Sequence, residues 1–180
     1  MSELTEKEKE DIDESLGFLP ENYKVPSKDN GYMKFKLGVN KIRFMGVPIL
    51  GYEMWKDTED GRRPVRFRMD EDIPMADVPE DGVKHFWAAV VWNFEDELLQ
   101  ILEITQRGIQ KSIMALQRSE AWGDPREYDI EITREGEGLE TRYSLIPGSR
   151  DLDPGIDKFF KDSDINLEAL FDGKNPFDGN

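Results

Sequence analysis

Lysine and arginine cluster at two places in this chain, and both places are almost free of acid. Residues 24–43 hold Lys24, Lys28, Lys34, Lys36, Lys41 and Arg43 against Asp29 alone, and residues 61–69 hold Arg62, Arg63, Arg66 and Arg68 with no acid. Side chains alternate between the two faces of a strand. In an extended chain Lys41 and Arg43 therefore share one face while Ile42 and Phe44 share the other, and Arg62, Arg66 and Arg68 oppose Val65, Phe67 and Met69. An ordinary solvated face mixes charge signs, whereas these faces carry one, which favours a polyanionic ligand. Flat rings supply what unpaired nucleobases need, because stacking a base on an aromatic side chain is worth about 1–3 kcal/mol and tolerates any sequence. Tyr32, Phe35, Tyr52, Trp55, Phe86, Trp87 and Trp92 fall in or beside the extended segments, and most must be core. Trp87 and Trp92 are five positions apart and so point to opposite faces of one strand. Trp55 and Trp87 are the stacking candidates, and Lys34, Lys36, Lys41, Arg43, Arg62, Arg66 and Arg68 are the candidate phosphate contacts.

Other chemistries find less support. With no Cys and one His, the chain cannot supply a zinc site, a disulfide or a cysteine nucleophile. Asp70, Glu71 and Asp72 could hold magnesium for phosphodiester hydrolysis, but no Lys or His is placed beside them as a base. Gly136-Glu137-Gly138 lacks the following glycine and helix of a nucleotide-binding loop, and no Gly-x-x-x-x-Gly-Lys-Ser/Thr run exists. His85 has no defined Ser and Asp partners for a catalytic triad. No catalysis is expected and no cofactor is required. A metal-dependent nuclease is kept as an alternative.

Short strands joined by tight turns must position these residues. Asp29-Asn30-Gly31 precedes one strand, Gly38-Val39-Asn40 a second, and residues 57–61 separate two more. Residues 83–94 are apolar on both faces and, with residues 98–105, predict a buried central hairpin. Ile109, Ile113 and Leu116 recur at helical spacing and predict one helix over residues 106–119. Trp122-Gly123-Asp124-Pro125 reads as a loop stapled down by its indole, and residues 128–134 and 139–146 as a final hairpin. Strands, one helix and a last hairpin fit a mainly β, OB-fold-like small barrel, which places its helix between strands and its binding groove across strands two and three. A β-sandwich is the plain alternative.

The whole chain carries 24 Lys and Arg against 39 Asp and Glu, a formal net charge of −15. Two thirds of that excess sits at the ends, in residues 1–16 and 151–180. The expected organisation is an acidic mobile arm (1–20), a nucleic-acid-binding domain (21–150) and an acidic flexible tail (151–180). No stretch approaches the ~20 apolar residues of a membrane span. The N-terminus is acidic where a secretion signal would be basic and then apolar, so no membrane association and a cytoplasmic location are expected.

Phe86-Trp87 through Trp92-Asn93, the run from Gln100 to Gln106, Ile109, Ile113, Leu116, Trp122-Gly123-Asp124-Pro125, Tyr128-Asp129-Ile130 and Thr141-x-Tyr143 together resemble the single-stranded DNA-binding proteins of tailed phages and related mobile elements. The resemblance spans most of residues 32–147. It implies an OB fold, coating of single-stranded DNA in replication and recombination, and an acidic C-terminal tail that recruits replication or recombination proteins. For a phage-encoded protein it places the cytoplasm in a bacterial host. Phe171 and Phe177 are the tail residues expected to meet such partners. The chain lacks the Cys and His ligands of zinc-containing phage proteins, and its Pro176-Phe177 is followed by Asp178-Gly179-Asn180 where bacterial-type proteins end on Pro-Phe. A tethered acidic tail would compete with loosely bound nucleic acid for the cationic groove. An RNA-binding OB module is the remaining alternative, using the same groove.

Overall fold

The computed structural model describes Phe18 and residues 31–178, so the arm expected over residues 1–20 lies, apart from Phe18, outside the described residues. Eight strands follow one another as β1 (Tyr32–Met33), β2 (Gly38–Phe44), β3 (Ile49–Thr58), β4 (Gly61–Arg68), β5 (Lys84–Asn93), β6 (Leu98–Ile104), β7 (Ile130–Glu135) and β8 (Arg142–Pro147). Helix α1 (Arg107–Arg118) lies between β6 and β7, and α2 (Pro154–Lys161) follows β8. Short 3-10 turns occupy Met75–Asp77, Pro125–Glu127, Gly138–Glu140 and Leu167–Asp172.

The strands form one sheet in the order β1-β6-β5-β2-β7-β8, with β3 attached to β5 and β4 to β3. β1 runs parallel to β6, and the other ladders are antiparallel. β5 is the hub. One of its edges pairs with β6, while the other pairs with β3 through Lys84 to Ala88 and with β2 through Val91 to Asn93. The protein is thus mainly β, and its strands form an open mixed sheet. β3 stays paired with β5 only as far as Glu53 and then continues with β4 to Thr58. Among the described residues, no ladder joins β4 or β8 to a further strand.

β5 is apolar on both faces because both faces are covered, as its sequence predicts. On one face Ile42, Phe44, Ala89, Val91, Leu102, Ile130 and Ile132 pack against Ile109 and Ile113 of α1 and against Tyr128. Trp122 staples its loop to this core edge-on to Tyr128, with ring centroids 5.1 Å apart. On the other face Phe86, Ala88 and Ile101 pack against Leu170, with Ile165, Leu167, Phe171 and Phe177 around it.

The second core corrects the expectation of a flexible acidic tail. Residues 152–178 fold onto the sheet as α2, the Leu167–Asp172 turn and a final bend. Asp153 caps α2 by accepting a 2.8 Å hydrogen bond from the Gly155 amide, and Pro154 begins the helix, where its missing N–H costs nothing. The Asn166 amide donates to the Pro176 carbonyl at 2.8 Å, which closes the last bend. Leu170 and Ala169 are buried, Phe171 lies 6.0 Å from Phe86, and Phe177 meets Tyr32 edge-on at 5.8 Å. Gly51 makes this fit possible, because a Cβ there would meet the Phe67 carbonyl and stand only 2.9 Å from the Phe171 ring. Leu170→Ala is expected to destabilise the protein by about 2–5 kcal/mol, read as a lower denaturation midpoint. An unchanged midpoint would show that the segment does not belong to the folded unit.

Candidate nucleic-acid interface

The ladders place Lys41, Arg43, Arg62, Arg66 and Arg68 on one face, while Lys34 and Lys36 lie between β1 and β2 outside any ladder. Arg43 pairs with Trp92, while Arg68, Arg66 and Arg62 pair with Gly51, Glu53 and Asp57, and Gly51 and Glu53 in turn face Phe86 and Lys84. This is the face that the C-terminal segment covers. The continuous positive trough that strand alternation suggests is not formed there, because acids from distant parts of the chain neutralise most of it.

Arg43 is the clearest correction. Its side chain is only 4% exposed, and its Nε bonds to Asp129 Oδ1 at 2.9 Å. Nη1 donates to the Arg126 carbonyl, and Nη2 to the carbonyls of Ser149 and Asp151. This guanidinium is a buried joint and offers nothing to a phosphate. Arg66 is nearly as enclosed, with Nη2 3.0 Å from Glu103 and Nε 3.4 Å from Glu53. Arg68 is half-buried and lies between Glu71 at 3.2 Å and Glu168 at 3.4 Å, with its guanidinium 4.6 Å from the centre of the Phe171 ring. Lys36 stands near Glu95 and Asp96, and Lys41 near Asp129 and over the Phe94 ring. Lys34 is exposed and makes no ion pair among the described residues.

Trp55 and Arg62 are brought together. The indole, 38% exposed, sits beside an open depression of about 340 Å³ lined by Trp55, Glu53, Arg62, Asp81, Gly82 and Lys84. Arg62 pairs with the Asp81 carboxylate across it. Lys84 is the member that sequence reasoning missed, since it opens an apolar strand and only the β3–β5 register carries it opposite Glu53. Trp87 lies elsewhere. It faces the α1 side of the sheet, half-buried, and its Nε1 donates to His85 Nε2 at 3.2 Å. His85 Nδ1 bonds to the Gly51 carbonyl at 2.8 Å, so this ring holds its proton on Nδ1 and accepts on Nε2.

Beneath the depression, burial pushes the Glu53 carboxyl up to about 8 from its ordinary 4.5. The protonated Glu53 carboxyl donates a hydrogen bond to the neighbouring Glu103 carboxylate, which with that group's charge adds to the rise, and Arg66 and Lys84 oppose it. At neutral pH Glu53 therefore keeps a proton, which leaves the depression less negative than its composition indicates. Among the described residues, no group of three or more His, Cys, Asp or Glu is arranged to hold a metal ion. Phe171 and Phe177 are both seated against the sheet. Compared with protein-family models, curated proteins and solved structures, the chain matches none.

Because the folded protein holds the Glu53 proton more tightly than the unfolded chain, its stability falls as pH rises from 4.5 towards about 8. The Glu53→Gln variant has no proton to lose. Its melting temperature is expected to match wild type near about pH 5 and to exceed it increasingly up to about pH 8. A gap that does not widen with pH would contradict a protonated Glu53.

Proposed function

We propose that this protein is a noncatalytic, sequence-tolerant single-stranded DNA-binding protein with an OB-like sheet, coating exposed strands in replication or recombination. The observation that carries the reading is the exposed Trp55 ring flanked by Arg62 and Lys84 in one open depression. That combination meets the two needs of sequence-independent single-strand binding: a flat apolar surface for a base and positive charge for the adjoining phosphates. The helix between β6 and β7 and the hairpin of β7 and β8 support an OB-like reading of the sheet. Among the described residues, no helix is long and apolar enough to cross a membrane. Recruitment of replication or recombination proteins through Phe171 and Phe177 requires the C-terminal segment to leave the sheet, because both rings are packed.

Titrating the protein with oligo-dT, and with duplex of equal length, tests the reading. Tryptophan fluorescence is expected to quench with oligo-dT and far less with duplex. Trp55→Ala weakens binding by about 1–3 kcal/mol, roughly 5- to 150-fold. Removing Arg62 and Lys84 together lowers the slope of log affinity against log salt by about 1.4. Equal affinity for duplex, or affinity independent of salt, would overturn the proposal. Tighter binding of oligo-U at matched salt would assign the surface to RNA, and magnesium-dependent loss of the oligonucleotide would assign it to a nuclease.

A further inference from the structure

Helix α1 is unusual in this acidic chain. Between Arg107 and Arg118 it carries three basic residues and no acid. Arg107, Lys111, Met114 and Arg118 recur at intervals of four, three and four, which places them on one side of a helix of 3.6 residues per turn. All four are exposed, whereas Ile109 and Ile113 on the opposite side are buried. None of the three cations makes an ion pair among the described residues, unlike most cations of β2 and β4. The stripe runs about 16 Å along the helix axis.

The same helix walls an apolar cavity of about 380 Å³. Met114 and Ile113 form one side, Val47 and Leu50 the other, and Trp87 lies within. Val47, Leu50 and Met114 are 67%, 43% and 40% exposed, so the groove opens to solvent. The Trp87 ring is held in place by its hydrogen bond to His85. The charged lining residues, Asp124 and Arg126, are bound to each other at 2.6 Å, so the groove itself presents no net charge.

We propose that this groove and the adjoining α1 stripe form a second contact for single-stranded nucleic acid, an unpaired base entering beside Trp87 and Met114 while phosphates follow Arg107, Lys111 and Arg118. The inference rests on the single-strand reading above and adds a site on the other side of the sheet. Three features select this occupant: a pre-set aromatic ring, an uncharged slot larger than one base, and unneutralised cations along its wall. A duplex keeps its bases paired and cannot fill the slot.

The test uses the full chain and fluorescent oligo-dT. Replacing Arg107, Lys111 and Arg118 together with Ala is expected to weaken binding at low salt at least tenfold and to lower the salt slope by about 2. Met114→Glu, which places an acid at the groove mouth, also weakens binding about tenfold. These side chains are exposed, so neither variant should change the melting temperature appreciably. Wild-type affinity and slope in both variants, with Trp55→Ala still impaired, would overturn this site and leave the function standing. Failure of the wild-type protein to bind oligo-dT would remove both. Polyglutamate that binds as tightly as oligo-dT, and is lost in the triple variant, would assign the surface to an acidic peptide and overturn the nucleic-acid assignment.

Discussion

A guanidinium taken out of water must find partners for its donors, and in this protein Arg43 finds them in two separate stretches of chain. Asp129 precedes β7, Arg126 belongs to the turn before it, and Ser149 and Asp151 lead into the C-terminal segment. One side chain of β2 therefore fixes the helix-to-hairpin connection and the point where residues 152–178 begin to cross the sheet. Removing only one member of such a buried pair is typically costly, on the order of 3–5 kcal/mol, because the other charge is left without compensation. The rest of the architecture follows from this anchoring. With its start held at Arg43, the segment can lay Leu170 and Phe171 over Phe86 and close its last bend beside Tyr32.

The sheet accordingly carries two cores on one hub strand. The α1 side is a conventional helix-on-sheet layer. The opposite side is cationic at its rim and apolar at its centre, and the chain's own acidic segment satisfies both, with Phe171 against Phe86 and Glu168 against Arg68. Glu168 is the acid of this segment that meets a cation of the sheet, and such pairing leaves the net charge unchanged. What remains for a ligand is local: Trp55 with Lys84 and the Asp81-paired Arg62 at the β3–β4 hairpin, and the acid-free face of α1.

Local patterns in the sequence carried much of this structure. The doubly apolar run of β5, the i, i+3, i+4 spacing of α1 and the turn residues between strands each specify an element without help from distant residues. Alternation also put Lys41 and Arg43 on one face correctly, but it cannot say which acids oppose them. Asp129 lies 86 residues from Arg43, and Glu103 lies 37 from Arg66, so only the assembled register reveals that these cations are neutralised. The C-terminal segment was obscured for a different reason. Its apolar residues were visible, yet they fall in a short helix and a 3-10 turn too brief to show a period, within a run of acids that resembles a flexible tail. The absence of acids from α1 is legible in the sequence itself, whereas the groove beside it forms only when Val47 and Leu50 are brought next to the helix.

The four tryptophans divide cleanly between proposed contacts and structural roles, which makes their indole N–H signals the most direct probe of the account. In a nuclear magnetic resonance titration of the intact chain with oligo-dT, Trp55 and Trp87 should shift progressively. Trp92, edge-on to Phe159, and Trp122, packed on Tyr128, should stay in place. Shifts confined to Trp92 and Trp122, or no shifts at saturating oligonucleotide, would contradict it.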